Sequence, residues 1–273
     1  MPDIVTEIKT KPFLKWAGGK TQLLGEIIKY VPPDYNKFIE PFIGAGAVFF
    51  NLKPGESIIA DTNQELIITY EVIRDNSSEL IEELQKFQNI KEKFYEVRKW
   101  ELSSISKVTR AARFIYLNKT CYNGLYRVNK QGLFNTPFGK RVNPTICDEE
   151  VIISTSKVLA NTKIIHEDFE NVLSKYAAPG DFVFLDPPYV PVSQYADFKR
   201  YTIDYFIEED HIRLKNQFDR LVQLGAYPLL TNSDAPFVLN LFKDYEIKVI
   251  NTRRSISSNS NTRKGKDVII IGR

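Results

Sequence analysis

Two cysteines, two histidines and one methionine are all that 273 residues contain of the sulfur and imidazole side chains. Cys121 and Cys147 cannot build a disulfide framework and fit a reducing cytoplasm. With only His166 and His211 beside them, a zinc cluster is not expected, and no other metal is. No apolar stretch approaches the roughly 20 residues of a membrane helix. Met1–Thr10 is too polar for a signal peptide. What remains for chemistry is carboxylates, amides, hydroxyls and an organic cofactor.

One further absence is local. Between Leu102 and Cys147 there is no Asp or Glu, while Lys107, Arg110, Arg113, Lys119, Arg127, Lys130, Lys140 and Arg141 all fall there. Those eight cations exceed the whole-chain net charge of +3, so the rest of the chain is acidic. A concentrated basic segment beside an acidic body is the footprint of a polyanion partner.

Hydrophobic content of 43% and charged content of 26% describe a globular chain long enough for one large α/β domain or two unequal ones. Strand patterns occur at Lys37–Glu40, Ser57–Asp61, Thr162–His166, Asp181–Leu185, Ala226–Thr231, Glu246–Asn251 and Asp267–Ile271. Helical patterns lie at Ala47–Leu52, along one run from Asn63 to about Phe87, at Lys91–Trp100 and at Lys107–Asn118. A further helix at about Ile207–Leu224 has an apolar face of Ile212, Leu214, Phe218, Leu221 and Val222. Strand–helix alternation at both ends predicts one sheet interrupted by an insert, with residues 1–65 and 155–273 forming one domain and 66–154 another.

The motifs fall at the ends of these strands. Phe42-x-Gly44-x-Gly46, between a strand and a helix, is a nucleotide-site turn, but the third glycine of a dinucleotide fingerprint is replaced by Phe49. Asp61, closing the next strand, can take both hydroxyls of a ribose. A glycine turn and a ribose acid without a diphosphate cradle point to S-adenosylmethionine. Asp168 and Phe169 offer an acceptor and a ring for its adenine, or a helix cap followed by a core residue. Gly18-Gly19-Lys20-Thr21 is not a phosphate loop, because Leu14 stands where glycine is needed. Asp186-Pro187-Pro188-Tyr189 follows the apolar run Phe182–Leu185. The prolines end the strand and stiffen the chain beyond it. Asp186, a rigid carbonyl and the Tyr189 ring together suit a flat, amino-bearing base. Asn123-Gly124 and Gln131-Gly132 are turn signals, and Asn118–Gly139 predicts a two-stranded ribbon with Asn123-Gly124 at its tip, of a size for the DNA major groove. There Arg127 could grip a guanine, Asn123 a base edge, and Tyr122 could wedge into the stack.

In their order along the chain, Lys15-Trp16-Ala17-Gly18-Gly19-Lys20, Glu40-Pro41-Phe42-Ile43-Gly44-Ala45-Gly46, Tyr122-Asn123-Gly124-Leu125-Tyr126-Arg127, Asn135-Thr136-Pro137-Phe138-Gly139 and Asp186-Pro187-Pro188-Tyr189 resemble the Dam-type DNA N6-adenine methyltransferases, of the alpha group. Arg253-Arg254-Ser255-Ile256-Ser257-Ser258 is similar to the family's late loop, while Asp267 stands where Glu is expected. The resemblance implies a Rossmann-like methyltransferase sheet with an antiparallel final strand and an inserted helical recognition domain carrying a β-hairpin. It implies S-adenosylmethionine as donor and, most often, GATC as target. Trp16, Ala17, Gly18, Lys20, Phe42, Gly44 and Gly46 would line the methionine end of the donor site, Asp61 its ribose, Asp168 and Phe169 its adenine. Readers of DNA would be Lys15, Asn123, Leu125, Arg127 and Pro137, with Lys119, Tyr122, Asn135 and Lys140 as further contacts. The expected partner is duplex DNA, met by a cytoplasmic monomer with no membrane association. A cognate restriction endonuclease would act separately. Alternatives from the residues alone are a cytosine-N4 or RNA amino-methyltransferase and a DNA-binding module without catalysis. Asp rather than Ser at position 186 disfavours cytosine.

Overall fold

The computed structural model describes residues 10–16, 18–191, 206–253 and 264–273. Ala17 and Arg254–Ser258, named above, lie outside the described residues. Seven strands form one sheet: β1 Phe38–Glu40, β2 Ser57–Asp61, β3 Thr162–His166, β4 Phe182–Leu185, β5 Tyr227–Ser233, β6 Glu246–Arg253 and β7 Lys264–Ile271, in the order 3-2-1-4-5-7-6. The first five are mutually parallel, and β7 runs antiparallel between β5 and β6, as expected for a Rossmann-like methyltransferase sheet. Because β1 pairs with both β2 and β4, the chain winds outward in both directions from the β1–β4 seam. In open α/β sheets such a switch point is where loops part and a ligand crevice opens.

Alternation along the strands divides the interior between two faces. Phe38, Ile59, Phe182, Phe184, Leu229 and Ile269 join one apolar cluster; Ile39, Ile58, Val183, Leu185, Leu230 and Ile270 join the other. β4 is buried on both faces, which is why its sequence reads as an unbroken apolar run.

Helices are α1 Leu24–Ile27, α2 Ala47–Leu52, α3 Gln64–Asp75, α4 Ser77–Gln85, α5 Lys91–Arg98, α6 Lys107–Thr120, α7 Glu149–Leu159, α8 Phe169–Tyr176, α9 Glu208–Leu224 and α10 Pro236–Leu241. None of the described residues forms a helix long and apolar enough to cross a membrane. Two sequence expectations need correction. The single run from Asn63 to Phe87 breaks at Asn76, whose backbone leaves the helical region (φ −136°, ψ 41°). Asn and the two serines after it compete for backbone hydrogen bonds and favour such breaks. On α9, Leu214, Phe218 and Leu221 are buried as expected, but Ile212 is 43% exposed and outside the core.

The inserted helices do not enclose a core of their own. One cluster runs from Phe38 and Phe184 on the sheet through Leu66 and Tyr70 of α3 and Phe114 of α6 to Tyr126 and Phe134 beyond it. The cut points 65/66 and 154/155 fall within α3 and α7.

Residues 121–138 form the expected ribbon, with antiparallel bridges Cys121–Phe138 and Val128–Phe134. Its tip, however, is not Asn123-Gly124. The chain reverses at Asn129–Leu133, where the Asn129 side chain accepts from the amides of Gln131 and Leu133, both at 3.0 Å. Asn123-Gly124 forms a tight 3₁₀ turn at the base, with φ of 55° and 67°. Glycine is needed there for close approach: a Cβ on Gly124 would stand 2.6 Å from Cδ of Lys15. The Asn-Gly signal marked a turn correctly, but positive φ also suits a packed elbow.

Candidate active site

The cleft opens where β1, β2, β4 and β5 end, and has a volume of about 1900 Å³. After β1, Phe42, Gly44 and Gly46 form its floor. Gly44 has φ +45°, and a Cβ there would strike Trp16 at 2.9 Å, so only glycine lets the indole lie across the turn. Trp16 is held from above by Tyr126, stacked with centroids 5.4 Å apart.

After β4 comes the tetrapeptide. Pro187 is buried, Pro188 exposed, and Asp186 and Tyr189 half-buried, all on the wall of this cleft. Lys20 fastens the tetrapeptide to the N-terminal Gly18-Gly19 segment: its ammonium is 2.6 Å from Oδ2 of Asp186, bonds the Gly18 carbonyl, and stands 4.7 Å from the Tyr189 ring centroid. Burial alone would lower the Lys20 pKa, but Asp186 and Tyr189 together more than reverse this and keep the ammonium charged.

Asp61, ending β2, accepts from the Gly44 amide at 3.2 Å and the Asn63 amide at 2.9 Å. Burial raises its pKa to about 6, with those two amides opposing the shift. Asp168 caps α8, accepting from the Glu170 amide at 3.0 Å, so the cap expected as one alternative is present. Asp168 also lines the cleft with Phe169, whose ring meets Phe42 at 5.3 Å and Phe206 at 5.9 Å.

Among the expected DNA-contacting residues, Lys15, Asn123 and Leu125 face the cleft. Tyr122, Arg127, Pro137 and Lys140 are exposed on the ribbon beside it, with Asn135 and Lys119 half-buried. Arg127 donates through Nε to Oδ1 of Asn135 across the ribbon at 2.8 Å. The eight-cation segment is less outward-facing than its composition implies. Lys107 pairs with Glu71, Arg110 with Glu65, and Arg113 is buried against the carbonyls of Val97 and Arg98. These three cations hold helices together, two through acids distant in sequence and Arg113 through backbone carbonyls; a count within one window cannot show that.

Residues 16–256 match the model of the D12 class N6 adenine-specific DNA methyltransferases. The chain belongs to this family. It is 43% identical to a type II methyltransferase of Lactococcus lactis subsp. cremoris, over 97% of this chain and 95% of the relative. It is 40% identical to a type II methyltransferase of Methanocaldococcus jannaschii, over 94% and 96%. It is 34% identical to the DNA adenine methylase of Escherichia coli K12, over 96% and 95%. As an adenine-specific DNA methyltransferase, it is neither the cytosine-N4 or RNA enzyme nor the inert DNA-binding module left open by the residues alone.

Several side chains of this methyltransferase site carried no obvious signal. Thr231, at the end of β5, donates to Oδ1 of Asp186 at 2.8 Å, so both carboxylate oxygens are oriented. Asn232 accepts from the Val190 amide at 3.1 Å and Ser233 donates to the Val190 carbonyl at 2.7 Å, clasping the loop after the tetrapeptide. Asn118, fully buried, bonds both backbone groups of Lys15 and the Gly124 carbonyl. Glu40, last in β1, is 3% exposed and its Oε2 has no hydrogen-bond partner among the described residues. Burial, then the nearby Asp186, raises its pKa well above the carboxylate range. An acid immediately before the glycine turn was the available signal for Glu40.

Proposed function

We propose that this methyltransferase transfers a methyl group from S-adenosylmethionine to N6 of an adenine turned out of duplex DNA, within GATC. The observation that carries the proposal is that Asp186, held by Lys20, and the glycine turn open on one cleft. The residues present fit the donor. Phe42, Phe169 and Phe206 make an aromatic corner for a purine. Asp61 suits ribose hydroxyls, and the orphan Glu40 oxygen and the Trp16–Lys20 segment offer polar groups to an amino acid. When bound, S-adenosylmethionine supplies a methyl group made electrophilic by its sulfonium.

The protein must first extract the base, at a cost of a few kcal/mol. Tyr122, 50% exposed on the ribbon, would fill the vacated stack. Tyr189 would stack on the extruded adenine, worth roughly 1–3 kcal/mol. Lys20 and Thr231 orient the Asp186 carboxylate, and a carboxylate oxygen can accept more than one donor. Asp186 would accept one N6 hydrogen and the Pro187 carbonyl the other, turning the nitrogen lone pair out of the ring plane. One N–H proton leaves after the new N–C bond has formed. Positioning and fixed dipoles supply most of the acceleration.

Methylating a plasmid in vitro and mapping modified bases tests this: N6-methyladenine confined to GATC is the expected result, and modification of another base would overturn it. The type II naming of two relatives supports a modification role beside a separately acting cognate endonuclease.

The donor site should also titrate. Ribose hydroxyls donate to Asp61, so binding favours its ionised form, and the free carboxyl has its pKa near 6. Affinity for S-adenosylhomocysteine should be flat above about pH 7 and fall, by up to about tenfold per pH unit, below that pKa. Calorimetry from pH 5 to 8 checks this; a flat profile would remove Asp61 from ribose binding, and Asp61→Asn should lose the break.

A further inference from the structure

Where α8 and α9 face each other beside the cleft, one guanidinium is shared among three acids. Arg213 donates Nε to Glu170 at 2.8 Å, Nη1 to Asp210 at 2.8 Å and Nη2 to Oδ1 of Asp168 at 2.6 Å. Its central carbon stands 4.9 Å from the Phe169 ring centroid. The Glu170 amide donates to that same Oδ1 of Asp168, so one carboxylate oxygen takes both of these donors and Oδ2 keeps its accepting capacity. Asp168, Phe169, Asp210 and Arg213 all line the cleft.

A ligand group suited to this corner stacks on aromatic carbon and offers a hydrogen to a fixed carboxylate. A 6-aminopurine does both. A 6-oxopurine would aim an oxygen lone pair at Asp168, which repels it and leaves Oδ2 without the donor that a 6-amino group supplies. Without the guanidinium, Asp168, Glu170 and Asp210 would repel one another, and the Asp168 carboxylate could turn fully onto the amides at the start of α8.

We infer that Arg213 is a positioning residue for the donor's purine: it holds the Asp168 carboxylate turned so that the cleft selects a 6-aminopurine over a 6-oxopurine. This rests on the reading that Asp168 and Phe169 receive the donor's adenine, so the test separates the two. Affinities of S-adenosylhomocysteine and S-inosylhomocysteine would be measured by calorimetry on the intact protein and on Arg213→Met, Arg213→Lys and Asp168→Asn. The intact protein should prefer the adenosyl ligand by roughly tenfold or more, as expected when a polar group is left unpaired by the analogue. In Arg213→Met the ratio should shrink to about threefold or less, with Arg213→Lys between, since lysine keeps the charge but not the fork. A strut that only joins α8 to α9 would change both affinities together and leave their ratio alone. If both Arg213 variants keep the full ratio while Asp168→Asn loses it, the inference is overturned and the adenine reading survives. If the intact protein shows no preference, or Asp168→Asn retains it, the adenine reading fails and Arg213 falls with it. Should Arg213→Met not fold, Arg213→Lys decides.

Discussion

Asp186→Ala is expected to abolish methyl transfer, lowering kcat by roughly 10³-fold or more, as losses of fixed hydrogen-bonding groups at reacting atoms do. A second effect comes from its neighbour. Lys20 is 6% exposed and its ammonium lies 2.6 Å from Asp186. Removing one partner of a buried pair leaves the other uncompensated, at a cost of about 3–5 kcal/mol. Asp186→Ala should therefore also melt earlier and bind the donor less well, because Lys20 borders the donor end of the cleft. The double variant Asp186→Ala with Lys20→Met removes the stranded charge. It should recover most of the melting temperature and none of the turnover. Single-turnover assays with calorimetric melting separate the two effects. A double variant regaining activity along with stability would contradict the role given to the carboxylate.

The second large effect is expected in sequence choice. Arg127→Ala should weaken discrimination at one guanine of the target by about 1–3 kcal/mol, and leave discrimination at the other base pairs intact. The geometry favours this residue because Asn135 takes Nε and leaves the two terminal nitrogens to face a base edge in pairwise fashion. Rates on duplexes substituted at each position measure it. Unchanged preference everywhere would remove Arg127 from the reading of DNA.

What the sequence revealed and what it hid differ in kind. β4 and the tetrapeptide after it were legible because apolar residues and prolines act locally: the chain must run straight, be buried, and then stop. The glycine turn and Asp61 were legible for the same reason. The adjacency of Glu40 to Asp186 was not, because it depends on β1 pairing with β4 across more than a hundred residues. Thr231 was invisible for the same cause; a threonine in an apolar strand looks like any other until its neighbour strand is known. The Asn76 break was missed because it lies within a long run of helix formers; the reversal at Asn129–Leu133 carried its own turn signal in Gln131-Gly132, but Asn123-Gly124 offered a competing one and long-range packing chose between them. The basic segment misled in part because Glu65 and Glu71 sit outside it in sequence but beside it in space.

The shared interior of the sheet and its insertion has a consequence for making enzymes with new targets. Lys15 leans on Gly124 and is bonded to Asn118, while five residues later Lys20 grips Asp186. The base of the ribbon and the tetrapeptide are thus each held by a lysine of the same short stretch, Lys15 and Lys20. Transplanting only the ribbon from a relative would leave its seat behind; a working chimera would need to bring α3 to α7 and the Lys15–Lys20 stretch as one block.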